Sequence, residues 1–176
     1  MRIMGHVWGK IRPTPRDDYD PVRRQSDGGD VDIRIARSTD LLDVAALDVE
    51  FGGLTYPYFV IRQLFDVHPN CWLVADHSDG LVGYALGVPG LDRETGWLLG
   101  HVVSADYRRR GYGRSLALSS LRIMASAGVR QVCLTVKPSN TVAITLYRKI
   151  GFGLGDLHAD YLGPGEDRMI MCVNLA

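Results

Sequence analysis

The chain has 176 residues, of which 46% are hydrophobic, and its 20 Lys and Arg residues equal its 20 Asp and Glu residues. This length suits one domain, and a zero net charge gives no general attraction to nucleic acid, so we expect no nucleic-acid partner. No hydrophobic run reaches the roughly 18 residues that span a bilayer, and no signal-peptide core opens the chain. We therefore expect a cytoplasmic protein without a membrane partner.

Three cysteines, Cys71, Cys133 and Cys172, lie far apart, each in a hydrophobic run. Their spacing matches neither a disulfide framework nor a set of metal ligands. We expect buried thiols in a reducing compartment, and no metal site.

Residues 1–30 mix prolines, glycines and charges of both signs without any period, which is typical of an irregular tail. From Val31 onwards, hydrophobic alternation and helical spacing predict one folded domain at residues 31–176, with the order β-α-α-β-β-β-α-β-α-β-β. A hairpin-rich first half joined to a β-α-β-α second half predicts an α/β (α+β) fold. Its mixed, mostly antiparallel sheet should have about seven strands flanked by about four helices.

The predicted elements follow the chain in that order, with one further strand expected between the last helix and the last strand. Strands are expected at residues 31–36, 71–76, 81–88, 96–105, 130–136 and 169–175, and helices at 38–51, 56–65, 114–128 and 139–152.

The residues RRRGYG at 108–113 stand between a predicted strand end and a helix start. Unpaired N–H groups and the positive end of the helix dipole favour anions there, and glycine at 111 and 113 would let a phosphate approach the backbone. Arginines add donors that suit a pyrophosphate. A P-loop lysine is missing, and Leu116 stands where a dinucleotide fingerprint needs its third glycine. A solvated basic turn explains the loop equally well.

The pattern R-x-x-G-x-G, made by Arg108, Gly111 and Gly113, is followed by VKPSNTVAITLYRKIGF at residues 136–152. Together they resemble the GNAT superfamily of acetyl-CoA-dependent N-acetyltransferases. The resemblance implies a GNAT-like domain that binds acetyl-CoA and needs no metal. Residues 53–65 and 160–171 are similar to segments of the protein N-terminal acetyltransferases, the branch that acetylates α-amino groups, ribosomal proteins included. The implied reaction is direct attack of a protein or peptide α-amine on acetyl-CoA in a ternary complex.

The candidate cofactor contacts comprise the end of a strand, the arginine-glycine loop and two residues of the second motif. They are His101, Val102, Val103, Arg108, Arg109, Arg110, Gly111, Tyr112, Gly113, Arg114, Ser115, Asn140 and Tyr147. The resemblance implies that Asn140 approaches the pantetheine, and that Tyr147 approaches the thioester sulfur. The backbone of Val102 and Val103 would pair with the pantetheine amides, helped by a strand bulge.

Tyr147 is the candidate general acid, because a phenol pKa near 10 lies above the thiol pKa near 8.5, so its proton can pass to a leaving thiolate. The alternative is a tyrosine that only packs in the core.

The general base is where this sequence departs from the family, whose members often carry Glu or His at the position of Thr135. A threonine can orient water but cannot accept a proton near neutral pH. His101, with an ordinary pKa near 6.5, is the nearest candidate, unless it faces the core as a satisfied histidine. Asp92 and Glu94 remain as bases that would act through water.

Tyr58 and Tyr161, with Thr135, are the candidate substrate contacts, because the two tyrosines align with residues that surround the first residue of a peptide in the N-terminal acetyltransferases. Leu162 replaces a second tyrosine of that branch. Two alternatives therefore stay open: an acetyltransferase of a small-molecule amine such as a polyamine, amino acid or antibiotic, and a non-catalytic acyl-CoA-binding module. The sequence leaves monomer and homodimer equally open.

Overall fold

A computed structural model describes residues 30–51, 56–92 and 94–175. The tail predicted for residues 1–30 lies outside the described residues, apart from Asp30. Within the described ranges, no helix is long and hydrophobic enough to cross a membrane.

The described residues form seven strands and four α-helices in the predicted order, which confirms the predicted fold class. The elements are β1 (Val31–Ile35), α1 (Leu41–Phe51), α2 (Tyr58–Val67), β2 (Trp72–His77), β3 (Gly80–Pro89), β4 (Thr95–Val103), α3 (Tyr112–Ser126), β5 (Gln131–Val136), α4 (Thr141–Lys149), β6 (Gly153–His158) and β7 (Arg168–Asn174).

All seven strands belong to one mixed sheet in the order β1-β2-β3-β4-β5-β7-β6. Neighbours pair antiparallel except β4 and β5, which are parallel. The exception follows from the connection, because α3 carries the chain back across the sheet between these two strands. The sheet is therefore two antiparallel halves joined by one parallel pair.

The parallel pair is short. β4 and β5 are partners only between Thr95–Leu98 and Gln131–Leu134. Further along, β4 stays paired with β3 up to Val103, and β5 stays paired with β7 up to Val136. The two halves of the sheet thus part after Leu98 and Leu134, and the ends of β4 and β5 face an opening.

Two hydrophobic clusters hold helices on the two faces of the sheet. The first packs α3 and α4 against the sheet, and its buried residues include Leu116, Met124, Leu134, Tyr147 and Met171. The second packs α1 and α2 against the other face, and its buried residues include Leu41, Ile61, Trp72, Tyr84 and Leu86. We call these the α3/α4 face and the α1/α2 face.

The prediction of buried thiols is wrong for two of the three cysteines. Cys133 of β5 and Cys172 of β7 are direct partners in the antiparallel register, with Cα atoms 4.1 Å apart, and form a disulfide. The register of β5 against β7 brings the two cysteines together although they are 39 residues apart in sequence. Their spacing along the chain therefore could not reveal the disulfide. Cys71 is a partly buried free thiol. Cysteine usage therefore no longer argues for a reducing compartment.

A buried carboxylate fixes the start of α2. Asp48 of α1 accepts a hydrogen bond from Tyr84 Oη of β3 at 2.6 Å, and another from the Tyr56 backbone N–H at 2.7 Å. Burial, followed by the nearby carboxylate, raises the pKa of Tyr84, so its phenol stays protonated and donates. Asp48 thus ties α1 to β3 and to the residues that lead into α2.

We expect Tyr84→Phe to lower the free energy of unfolding by about 1–3 kcal/mol, because it leaves a buried carboxylate oxygen without its donor. Urea denaturation measures this change. Tyr107→Phe is the matched control, because its hydroxyl bonds Asp79 at an exposed position and its loss should change stability by less than about 0.5 kcal/mol. Equal losses in the two variants would contradict a structural role for Asp48.

Candidate active site

The candidate site lies at the opening between β4 and β5. The Ser104 N–H donates to the Val82 carbonyl of β3 at 2.9 Å. Because peptide groups alternate along a strand, those of Val102 also point toward β3, and those of Val103 point into the opening. There the Val103 carbonyl accepts a hydrogen bond from Arg108 Nε at 3.0 Å. Of the two valines, Val103 is the one whose backbone faces the site.

A strand bulge does occur in β4, but earlier than the expected position. Gly87 of β3 pairs with Leu98, and Leu86 pairs with Gly100, so Leu99 is the extra residue. The shift sets which side of β4 each later residue faces. It turns His101 toward the α3/α4 face, opposite Ala85 of the first cluster.

The helix after the arginine loop begins at Tyr112, two residues earlier than predicted. Gly111 is its N-cap, with φ of 90°, and no side chain caps the first turn, which also carries no acidic residue. The first N–H groups of α3 lack intrahelical partners, and the helix dipole is positive there. The geometry of this turn therefore suits an anion.

The two glycines of the loop have different structural roles. At Gly111 a Cβ would stand in open space, but the positive φ disfavours any other residue. At Gly113 a Cβ would meet Val103, His101 Nε2 and Leu146 at 3.5–3.6 Å. It would point into the protein, so the reason given from sequence, access of a phosphate to the backbone, does not apply to Gly113. This glycine lies where α3 approaches β4 and α4.

The arginines of the loop are exposed, and two of them shape it. The Arg110 guanidinium lies 5.1 Å from the centre of the Tyr107 ring and donates to the Asp106 carbonyl at 3.2 Å. Arg109 adopts a left-handed backbone with φ of 64°. Arg114 is exposed in the first turn of α3. Together with Arg108, these residues surround the uncapped helix end with positive charge.

His101 joins the loop to the candidate acid. Its Nδ1 lies 3.0 Å from Tyr147 Oη, and its Nε2 lies 2.9 Å from the carbonyl oxygen of Gly113. A carbonyl can only accept, so Nε2 carries the hydrogen, and the neutral ring accepts the Tyr147 hydroxyl hydrogen at Nδ1. His101 thus combines features of both alternatives raised from the sequence: it is a partly buried histidine with both ring nitrogens hydrogen-bonded, and it contacts the candidate acid.

The surroundings keep both side chains of this pair neutral. Burial lowers the pKa of His101 to about 4, opposed by the hydrogen bond to the Gly113 carbonyl. Burial also raises the pKa of Tyr147, whose ring packs against Phe152 with centroids 5.7 Å apart. At neutral pH the pair is therefore an imidazole and a phenol.

Asn140 is the N-cap of α4, where its Oδ1 accepts from the Ala143 N–H at 3.1 Å. Its Oδ1 caps the helix, and its amide NH₂ can donate to a ligand.

Thr135 lies on the opposite face of the sheet from Tyr147. Its neighbours Leu134 and Val136 point into the first cluster, which contains Tyr147, so by strand alternation Thr135 points to the α1/α2 face. It is half-buried and pairs with Ile170 of β7. The opening thus has the His101–Tyr147 pair on one face and Thr135 on the other.

The two tyrosines expected on the acceptor side are both exposed. Tyr58 is the first residue of α2, and Tyr161 lies in the loop between β6 and β7; both are a little over 40% exposed. That loop is held by Asp160, which accepts from the Gly165 N–H, while its own N–H donates to Asp167.

Asp92 and Glu94 do not reach the site. They precede the other end of β4, nine and seven residues from His101, which corresponds to roughly 23–30 Å at about 3.3 Å per residue. Asp92 is engaged by the hydroxyl and N–H of Thr95, which lower its pKa. Neither carboxylate can act on a group at the opening through a single water.

Sequence reasoning missed two connections: the Gly113–His101–Tyr147 chain and the Asp48–Tyr84 hydrogen bond. Each partner was visible as a residue, but the contacts span 46 and 36 positions of the chain. They depend on strand register and helix placement, for which the sequence carries no local signal.

Residues 39–152 match the family model of the acetyltransferase (GNAT) family. An N-alpha-acetyltransferase of Sulfurisphaera tokodaii is 31% identical over 84% of this chain and 95% of its own length. A ribosomal protein bS18 alanine N-acetyltransferase of Salmonella typhimurium is 32% identical over 82% of this chain and 97% of its own length. The crystal structure of Ard1 from Thermoplasma volcanium superposes with a TM-score of 0.79 at 22% identity, covering 84% of this chain and 99% of that one, which shows a common fold.

We expect Gly111→Ala to lower the free energy of unfolding by about 1–2 kcal/mol, since alanine is strained at positive φ. Gly113→Ala is the matched variant in the same loop. Its Cβ makes contacts of ordinary length in a helical position, so we expect it to be neutral or stabilising by up to about 0.5 kcal/mol. Urea denaturation of both variants measures the difference, and a larger loss for Gly113→Ala would contradict the ordinary contact distances found for its Cβ.

Proposed function

The chain belongs to the GNAT acetyltransferase family, and we propose that it transfers the acetyl group of acetyl-CoA to the N-terminal α-amine of a protein or peptide. One structural observation carries the proposal: the uncapped start of α3, the Val103 backbone that faces away from β3, and the buried phenol of Tyr147 all border the same opening. The names of the relatives support the choice of an α-amine as acceptor.

The residues around the opening fit coenzyme A, which when bound supplies the acetyl group as a thioester. The N–H groups at the start of α3, with the arginines around them, would bind its pyrophosphate. The Val103 backbone would pair with the pantetheine arm as a strand edge does. The Asn140 amide NH₂ would donate to the same arm, because its oxygen already caps α4.

Tyr147 acts as the general acid in this proposal. Its raised pKa keeps the hydroxyl protonated at physiological pH, so it can give a hydrogen to the leaving sulfur. Thr135 on the other face can hold a water or the incoming amine but cannot take its proton. An α-amine, with a pKa near 8, is partly neutral without help, whereas a lysine amine near 10.4 is not. The absence of a carboxylate at Thr135 therefore favours an α-amine over a lysine side chain.

The acceptor would approach from the α1/α2 face, between the start of α2 and the β6–β7 loop. Tyr58 and Tyr161 offer exposed rings for the first residues of a peptide, and the Asp48 hydrogen bonds fix the start of α2. Leu162 is 47% exposed where the related branch has a second tyrosine, which predicts a less polar contact with the peptide.

A panel of acceptors tests this function. We expect thiol release from acetyl-CoA with peptides that carry a free N-terminal amine, and none with the same peptides blocked at the N-terminus but retaining an internal lysine. Release with polyamines, amino acids or aminoglycosides instead would indicate a small-molecule acetyltransferase. Coenzyme A binding without release for any amine would indicate a non-catalytic module.

Tyr147→Phe tests the general acid. We expect kcat to fall at least tenfold while the Kd for coenzyme A changes less than about twofold, because the hydroxyl acts on the leaving sulfur and not on cofactor binding. Stopped assays of thiol release and calorimetric titration measure the two quantities. Tyr107→Phe is the control and should leave kcat unchanged. An unchanged kcat in Tyr147→Phe would mean that this ring only packs in the core.

A further inference from the structure

The base that this reaction lacks at Thr135 has a substitute on the other face of the sheet. His101 is hydrogen-bonded to Tyr147 Oη through Nδ1, and that nitrogen carries a lone pair because Nε2–H is held by the Gly113 carbonyl. A proton acceptor therefore stands directly behind the hydroxyl of the candidate general acid.

The same two partners also suit the protonated ring. In an imidazolium both nitrogens donate, and both the Gly113 carbonyl and the Tyr147 hydroxyl oxygen can accept. Taking up a proton at Nδ1 only reverses the direction of one hydrogen bond, without moving a heavy atom. The site therefore accommodates His101 in either charge state.

We propose that His101 holds the acceptor's proton during the reaction, receiving it through Tyr147 and returning it by the same path. This inference rests on the proposed acetyl transfer. In the first half, the amine nitrogen bonds to the acetyl carbon and gives one proton to Tyr147 Oη, as the hydroxyl hydrogen passes to His101 Nδ1. In the second half, the bond from carbon to sulfur breaks, Tyr147 gives its hydrogen to sulfur, and Nδ1–H returns to Oη.

The proton balance closes within this pair. One proton leaves nitrogen and one reaches sulfur, and His101 and Tyr147 end as they began. Nitrogen and sulfur are bonded to the same carbon, so one hydroxyl beside that carbon can serve both atoms. His101 acts through Tyr147 and is a positioning and proton-holding residue, while Tyr147 is the group that touches the reacting atoms.

Because burial lowers the pKa of His101, a positive charge on its ring is expected to be transient rather than lasting. Its pKa of about 4 keeps Nδ1 free to accept at neutral pH, and favours return of the proton once sulfur can take it. Among the groups packed around the ring, the Gly113 carbonyl of α3 and the Tyr147 hydroxyl of α4 are its polar partners.

His101→Gln separates proton holding from structural support. The glutamine amide can accept from the Tyr147 hydroxyl and donate to the Gly113 carbonyl, but it cannot be protonated near neutral pH. We expect kcat to fall at least tenfold, with KM for both substrates within about threefold and an unchanged melting temperature. Full turnover in His101→Gln would overturn the proposal, because hydrogen bonding alone would then suffice.

A second measurement needs no turnover. In the free protein, ¹⁵N NMR of labelled histidine should show His101 as the Nε2–H tautomer with an apparent pKa below about 5. Tyr147→Phe should shift its Nδ1 resonance toward that of a nitrogen without a hydrogen-bond donor. A ring protonated at Nδ1 when neutral would overturn the proposal. If wild type transfers acetyl to no amine, the proposed function fails instead, whatever the tautomer.

Discussion

The parting of β4 from β5 after four paired residues is the constraint on which the rest of this molecule depends. Inside a sheet, backbone groups normally pair with both neighbouring strands, and here β4 and β5 are no longer partners beyond Leu98 and Leu134. Because α3 connects these same strands, its first turn begins beside the gap, and α4 follows β5 to the same place. Backbone donors, a positive helix end and the Tyr147 side chain meet there as consequences of one break in strand pairing.

His101 links the three elements that border this gap. Its backbone belongs to β4, one ring nitrogen holds the first turn of α3, and the other meets the hydroxyl on α4. The Gly113 carbonyl fixes the tautomer of the ring, since it accepts the hydrogen of Nε2. In the proposed reaction, cofactor binding and acid chemistry would therefore share one hydrogen-bonded unit.

The features that depend on local sequence pattern could be predicted from the sequence. The contacts that depend on the register between distant strands could not. Element order followed from hydrophobic periodicity, and Arg108, Gly111 and Tyr147 stood out through motifs whose spacing is local. The Cys133–Cys172 bond could not be foreseen, because it depends on the alignment of β5 with β7 across 39 residues. The direction of His101 depends on the bulge at Leu99, which shifts every later residue of β4. Long-range register is thus the part of the site that the sequence left open.

A partly buried histidine with a low pKa is compatible with the role of holding a proton in transit. Protonating a group of pKa about 4 at pH 7 costs about 4 kcal/mol, at about 1.4 kcal/mol per pH unit. An enzyme with kcat near 10 per second has a barrier of roughly 16 kcal/mol, so a brief charge on His101 fits within it. A lasting charge on His101 would not be compatible with turnover, because an imidazolium that stays behind Tyr147 would leave the next amine without an acceptor for its proton. In the proposed reaction, low basicity therefore favours return of the proton, and Thr135 on the opposite face would only need to hold the incoming amine.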